Sequence, residues 1–381
     1  MIKVLALGGA GAQGMFATRE LLNYDDVSEV IVGDYDIEKA KKAVESLGSE
    51  KVEAVKIDVR DRDELISLMK NVDIVVNTVG PFYMYGPLIL DACIKAGRDY
   101  VDICDDTDAT LKMLAMDEEA RKSGVTAVIG MGASPGLSNI FSAYLANKLD
   151  SVSEIRQYWV VDNSDPEGLA VMYHAAHGIT GKVYQYLNGQ LVKVPAGSGS
   201  EVVEFLSGKA EVVYYGHPEP VTLPKYIKSV KTVINKGGFL PSSDFKMFKL
   251  MAKMGLFSTR SIGGISPRRI SVSILHKLTS QQKPEEKTRT AMKIEVSGEK
   301  DGEYVKYAID GWGVMGPATG IPAAVTAILI GRGEVKMKGV YPPEGCINAE
   351  SFMKLVREKI PPGYVLTLEE VHRGPLFKET S

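Results

Sequence analysis

Six residues near the start of the chain, Gly9-Ala10-Gly11-Ala12-Gln13-Gly14, place three glycines where side chains would hold a phosphate away from the backbone. They follow an apolar run, Ile2 to Leu7, and open a segment of helical period from Ala12 to Leu22. In that setting Gly9 permits a tight turn, Gly11 lets the backbone approach a pyrophosphate, and Gly14 allows close packing of helix on strand. The helix N-terminus then faces the phosphate charge. A glycine pattern of this kind is weak evidence by itself. Asp34 strengthens it, because it ends the second strand candidate twenty residues after Gly14, where a carboxylate accepts hydrogen bonds from the adenine ribose. Together the two features point to a bound dinucleotide.

Which dinucleotide depends on the surroundings of Asp34, since a 2′-phosphate is repelled by a carboxylate and is met by arginine. The segment reads Gly33-Asp34-Tyr35-Asp36, with no adjacent arginine, so NAD is favoured. Lys39, Lys41 and Lys42, one to two helical turns on, keep NADP open. Two further strand ends fit the same site. Asp58-Val59 borders an adenine. In Asn77-Thr78-Val79-Gly80-Pro81-Phe82, Gly80 and Pro81 shape a rigid turn, and Phe82 walls off a nicotinamide ring. Ordinary turn chemistry explains the same glycine and proline equally well.

The elements that position these residues repeat one unit from residue 2 to 131: a β-branched apolar run, a turn, then an amphipathic helical segment. Strands are expected at Ile2 to Leu7, Glu29 to Gly33, Glu53 to Val59, Asp73 to Val79, Tyr100 to Cys104 and Thr126 to Met131. Runs that are apolar throughout mark a parallel sheet covered on both faces, so the fold class is α/β with a Rossmann-type doubly wound sheet. After residue 150 longer alternating runs appear, at Glu154 to Val161, Val183 to Leu187, Ala210 to Tyr214, Arg269 to Leu275 and Lys293 to Val296. They predict a mostly antiparallel sheet, with surface loops at Val194 to Ser200 and Lys236 to Ser243.

Bulk properties narrow the class. The 381 residues are 45% hydrophobic and 24% charged with a net charge of -3, which supports neither disorder nor a nucleic-acid footprint. Cys93, Cys104 and Cys346 lie far apart without metal spacing, and the N-terminus enters a strand at once, so a reduced, cytoplasmic setting is expected. Trp312 to Ile330 carries no charge, but Pro317 and Pro322 interrupt it; a buried helix of about ten residues starting near Pro322 is expected instead of a membrane span. Ser243 to Phe257 reads as an amphipathic helix with Phe245, Phe248 and Met251 or Ala252 facing a core or a subunit rather than a membrane.

NTVGPFYMYG (77 to 86), YVDICDD (100 to 106) and GASPGLSN (132 to 139) occur in that order after GAGAQG, followed by HPEPVTLP (217 to 224) and TGIPAAVTAILIGRGEVKMKGVYPPE (319 to 344). In these segments the chain resembles the saccharopine dehydrogenase family, in particular its saccharopine reductase-like branch. The resemblance implies a nucleotide-binding domain of residues 1–138 plus 318–381, and an inserted α+β domain, 139–317, for substrate binding and dimerisation. It implies a homodimer and NAD(P)-linked hydride transfer at a carbon–nitrogen bond of an amino acid or opine-like secondary amine, of saccharopine, lysine or carboxynorspermidine type. Such chemistry needs a group to take the ammonium proton. Asp102, Asp105 and Asp106, beyond the fifth strand, are candidates, although Asp106-Thr107-Asp108 reads equally as the cap of a helix from Ala109 to Lys122.

His174 and His177, three apart in a helical segment, suit proton shuttling, with His177 the catalytic candidate. No carboxylate or cysteine completes a metal set with them, so no metal is expected. His217 and Glu219 fall in a strained, proline-bounded loop. The family's acidic turn stands here as Gly132-Ala133-Ser134-Pro135-Gly136, so its substrate does not carry over. Arg156, Arg260, Arg268, Arg269 and Arg289 are available for carboxylates without ranking. Two other functions stay open: a nucleotide-binding redox sensor or scaffold without turnover, and a reductase of a lipid-like C=C or C=O served by Phe82-Tyr83-Met84-Tyr85.

Overall fold

The computed structural model describes residues 1–165, 168–261, 263, 265–279, 288–359, 361 and 363–374. Six strands with their crossover helices come first: β1 (Ile2–Leu7), α1 (Gly14–Leu21), β2 (Val27–Asp34), α2 (Ile37–Leu47), β3 (Val52–Lys56), α3 (Arg62–Met69), β4 (Ile74–Asn77), α4 (Phe82–Ala96), β5 (Asp99–Asp102), α5 (Thr107–Leu114), α6 (Asp117–Lys122) and β6 (Thr126–Val128). There follow α7 (Leu137–Ala146), β7 (Ser151–Asp162), α8 (Leu169–Gly178), β8 (Lys182–Leu187), β9 (Gln190–Pro195), β10 (Glu201–Phe205), β11 (Gly208–Tyr214), α9 (Glu219–Tyr226), β12 (Thr232–Leu240), α10 (Ser242–Lys253), α11 (Pro267–Thr279), β13 (Ala291–Lys300) and β14 (Glu303–Trp312). The chain continues through α12 (Met315–Gly331), β15 (Gly339–Tyr341), α13 (Pro343–Cys346), α14 (Ala349–Lys359) and β16 (Val365–Gly374). It divides into two compact units: Met1–Leu137 with Met315–Asn348 and a segment from Lys354, and Ser138–Val314 with Ala349–Met353 and the segment from Pro361.

In the first unit all strand pairs are parallel, in the order β15-β6-β5-β4-β1-β2-β3. The order reverses between β1 and β4, and the crevice beyond the carboxyl ends at such a point is where doubly wound sheets bind ligands. Register aligns those ends: Leu7 stands opposite Gly33 and Asn77, and Asn77 opposite Asp102. Leu5, Leu7, Ile31, Leu65, Met69, Ile89 and Tyr100 form the core under the sheet. On α12, Gly316 and Gly320 let α1 approach closely, since a Cβ on Gly320 would meet Gln13 O and Ala17 N at 2.7 Å. Helix α12 is buried and longer than expected, beginning at Met315, so Pro317 takes the first turn and Pro322 lies inside the helix. No described helix is long and apolar enough to cross a membrane.

The second unit holds a sheet ordered β10-β11-β12-β7-β13-β14-β16, with β8 joining β12 and β9. Its pairs are antiparallel except β12 with β7. The last strand, β16, pairs with β14, so the stretch expected to return whole to the nucleotide domain is shared between the units. Two other expectations fail here. Arg269 to Leu275, read as a strand, lies inside α11, where Ile270, Ile274 and Leu278 repeat at the four-residue spacing of a helix. Lys236 to Ser243, read as a loop, contains the buried end of β12. Gly237 misled that reading: a Cβ there would stand 2.0 Å from the Trp159 indole, so glycine marks close packing and not a turn. Helix α10 turns Phe245 and Phe248 inward against Phe239, at 5.5 and 5.3 Å between ring centres.

Candidate functional site

The turn after β1 is built from backbone. Gly8 carries the left-handed conformation, φ +70°, and its N–H donates to Gly33 O at 2.8 Å, so the tight turn falls one residue before Gly9. Gly11 N–H donates to Gly8 O at 2.8 Å and closes the loop. A Cβ on Gly14 would lie 2.2 Å from Gly8 O and 2.5 Å from Thr78 Oγ1, while one on Gly9 would lie 2.7 Å from Thr18 Oγ1. A Cβ on Gly11 would meet only Gly8 O, at 3.0 Å, so its other side is open to a ligand. Helix α1 begins at Gly14, two residues later than expected, which leaves Ala12 and Gln13 in the entry turn. First-turn amides have no intrahelical acceptor and suit a phosphate. Among the described residues the buried amide atoms of Gln13 have no hydrogen-bond partner. This cradle fits a dinucleotide pyrophosphate.

Asp34 ends β2, and its Oδ1 accepts from Asp36 N at 3.0 Å. Asp36 caps α2 by accepting from Glu38 N and Lys39 N, both at 3.1 Å, so the second carboxylate has a local structural task. Tyr35 stands 65% exposed between them. Asp58 is half-buried and is bound by Arg60, whose guanidinium holds its carboxyl down to about 2. Val59 is packed in the core.

At the ends of β4 and β5 the functional groups are side chains. Thr78 Oγ1 donates to Leu7 O at 2.9 Å, and Asn77 Oδ1 accepts from Val79 N at 2.9 Å. Asn77 Nδ2 donates to the Tyr100 hydroxyl, which donates to Asp102 Oδ2, each at 2.9 Å. The other Asp102 oxygen accepts from Cys104 N at 2.9 Å and Gly130 N at 2.7 Å. Asp102 therefore ties β4, β5 and the turn after β6 together, and burial pushes its carboxyl up to about 6. Asp106 precedes α5, yet its side chain makes no cap hydrogen bond; Oδ2 accepts from Tyr83 N at 2.8 Å. The expected helix from Ala109 to Lys122 is two helices, α5 and α6. Gly80 and Pro81 form the turn into α4, while Phe82, expected to wall a ring, is buried in the core. Burial and the nearby carboxylates push the Cys104 thiol up, so no reactive thiolate stands here.

In the second unit, His177 on α8 has Nδ1 3.1 Å from Arg268 Nη1. A guanidinium only donates, so Nδ1 accepts and the neutral ring carries its proton on Nε2. This histidine is set up as a donor. The network that composition and spacing did not reveal lies beside it. His174 Nε2 and His217 Nε2 are 3.3 Å apart, His217 Nδ1 is 3.6 Å from Glu219 Oε2, and Ser138 Oγ donates to Glu219 Oε1 at 2.8 Å. Glu219 opens helix α9 and is fully buried, in place of the strained loop expected for it. Two imidazoles in contact with a carboxylate behind them can share and pass a proton. From sequence His174 and the pair His217 and Glu219 stand in separate segments, and only the fold brings them together.

Residues of the candidate site not singled out from sequence include Gly8, which makes the left-handed turn, Thr18, packed against Gly9, and Tyr100, placed by strand register. Comparison with known proteins adds to the geometry. The model described as the saccharopine dehydrogenase NADP binding domain matches residues 4–128, and that of the saccharopine dehydrogenase C-terminal domain matches 132–360. Carboxynorspermidine synthase of Vibrio cholerae is 24% identical over 403 residues, covering 93% of this chain and 94% of that one. Carboxyaminopropylagmatine dehydrogenase of Synechocystis is 24% identical over 152 residues, 38% of this chain and 37% of that one. The apo saccharopine dehydrogenase (L-Glu forming) of Saccharomyces cerevisiae shares the fold, with a TM-score of 0.65 at 15% identity over 98% of this chain and 100% of that one.

Proposed function

The chain belongs to the saccharopine dehydrogenase family and is an NAD(P)-dependent oxidoreductase, and from that premise we propose that it transfers hydride at the C–N bond of an amino acid or opine-like secondary amine, with NAD as its cofactor. The observation that carries the amine reading is the near full-length similarity to a carboxynorspermidine synthase. The nicotinamide ring would supply the hydride acceptor or donor. Gly9, Gly11, Ala12, Gln13 and Gly14 are the proposed pyrophosphate cradle, with Asp34, Tyr35 and Asp58 at the adenosine end and Thr78, Gly80 and Pro81 at the strand end beyond. Asp34 supports NAD over NADP because a 2′-phosphate beside its carboxylate would be repelled.

For the proton that leaves the amine nitrogen, Asp106 is the proposed acceptor, held by the Tyr83 amide, with Asp102 positioning the strand ends around it. His177 is proposed to donate from Nε2 to a substrate oxygen. The reading extends to a cytoplasmic homodimer; Met247, Leu250, Ile270, Ile274 and Leu278, exposed on α10 and α11, suit burial against a second copy. Light scattering on the purified protein checks the dimer. The activity is tested by supplying saccharopine, lysine, ornithine and carboxyalkyl polyamines with each oxidised cofactor, and the matching amine and carbonyl pairs with each reduced one, while following nicotinamide absorbance. Turnover of at least one amine with NAD is expected; NADH binding with silence across the panel would sink the reading and leave a nucleotide sensor.

A further inference from the structure

The exposed end of β3 holds an arrangement that the pyrophosphate cradle does not explain. Ile57 N donates to Asp34 O at 3.0 Å, so residues 57 to 60 run beside Asp34 and Tyr35. Asp58 accepts from Arg60 four times: from its backbone N at 3.0 Å, from Nε at 2.9 and 3.1 Å to the two oxygens, and from Nη2 at 2.6 Å. The guanidinium is thereby folded back over its own turn, with its carbon 5.9 Å from the centre of the Tyr35 ring. An ion pair this exposed contributes little to folding, and Tyr35, 65% exposed, contributes little to the core. Both are flat groups standing beside the residue that meets the adenine ribose.

We propose that Tyr35 and Arg60 form a stacking platform for the adenine ring, and that Asp58 locks the Arg60 fork so that it cannot turn to a 2′-phosphate, making the site selective for the unphosphorylated ribose. Guanidinium and phenol planes both stack on aromatic faces, and with the guanidinium lying over the Tyr35 ring the pair offers an outer flat face on which a planar base stacks. The carboxylate of Asp58 stands in for the phosphate oxygens that would otherwise take the same bidentate bonds. Asp34 repels a 2′-phosphate directly; Asp58 withholds the cation that would neutralise it. This inference rests on the NAD reading above, and it assigns the preference to two carboxylates instead of one.

The test is equilibrium binding, read by reduced-nicotinamide fluorescence, of NADH, NADPH and reduced nicotinamide mononucleotide, which lacks the adenosine. Arg60→Ala is expected to weaken NADH about tenfold, within the range for loss of one stacked base, and to leave the mononucleotide unchanged. Arg60→Lys, which keeps the charge but not the plane, is expected to weaken NADH to a similar extent. Asp58→Ala is expected to tighten NADPH about tenfold relative to NADH. Arg60 is exposed and Asp58 half-buried, and an unchanged melting temperature verifies that the three variants fold. An equal loss for NADH and mononucleotide in Arg60→Ala overturns the platform, as does full rescue by lysine. A wild-type preference for NADPH sinks the NAD reading itself, whereas a wild-type preference for NADH that Asp58→Ala leaves untouched sinks the lock alone.

Discussion

The ends of β1 and β5 face the same edge of one sheet, yet they handle polarity in opposite ways. After β1 the candidate cradle is main chain, drawn into a tight turn because Gly8, Gly9, Gly11 and Gly14 carry no side chains. After β5 they are buried carboxylates that accept from neighbouring segments: Asp102 from Tyr100 of its own strand, Cys104 just beyond it and Gly130 after β6, Asp106 from Tyr83 of α4. The first arrangement suits a ligand common to many enzymes, because a backbone cradle recognises phosphate without regard to the rest of the molecule. The second suits chemistry, because burial moves the proton affinity of Asp102 where water would not.

That contrast can be broken by substitution, beginning with the largest effect. Asp106→Asn keeps shape and the Tyr83 contact while removing a proton acceptor, so kcat is expected to fall about 10²- to 10⁴-fold with NADH affinity intact; unchanged turnover in a steady-state assay would remove Asp106 from the chemistry. Gly14→Ala should do the reverse. Its Cβ would sit 2.2 Å from Gly8 O, so the turn must open, with NADH affinity falling about a hundredfold and stability by about 3 kcal/mol in fluorescence titration and urea unfolding.

Asp102→Ala leaves two backbone N–H groups and the Tyr100 hydroxyl without an acceptor, and a loss of about 3 kcal/mol is expected, smaller for Asp102→Asn. Its pH dependence has a definite sign. Burial raises the carboxyl from 3.8 to about 6, against the pull of its three donors, with Asp105 adding repulsion. The folded state thus binds the proton more tightly than the unfolded chain does. The stability this proton contributes is fully present below about pH 4 and is lost as pH rises through about 6. Wild type measured against Asp102→Asn should therefore lose ground over that interval, and a gain would show that the donors outweigh burial. The smallest effect is reserved for Asp34→Ala, where NADH affinity should fall about tenfold and the preference over NADPH should narrow.

How far each end could be read follows from the same contrast. Glycine spacing after an apolar run is a property of sequence alone, so the cradle, Asp34 and the strand–helix rhythm were legible, and β1 begins and ends where its residues predict. The role of Gly8 was not, because the left-handed turn falls one residue before the pattern that advertises it. The Asn77–Tyr100–Asp102 chain joins residues brought together by strand register, and nothing in local spacing marks Tyr100 as more than a core aromatic. Phe82 misled for a related reason: at a strand end an aromatic can face the ligand or the core, and here α4 starts at that residue and turns it inward. In the second unit the buried glycines of β12 and the i, i+4 apolar residues of α11 imitated a loop and a strand. Packing decided both.

The most direct test of the amine reading is the fate of the hydride. The protein would be incubated with NADH deuterated at the transferring position, an amine and an oxo acid, and the product examined by mass spectrometry. The account predicts a secondary amine carrying deuterium on the carbon bonded to nitrogen. Deuterium on a carbon–carbon or carbon–oxygen product, or none transferred by protein that still binds NADH, would contradict it.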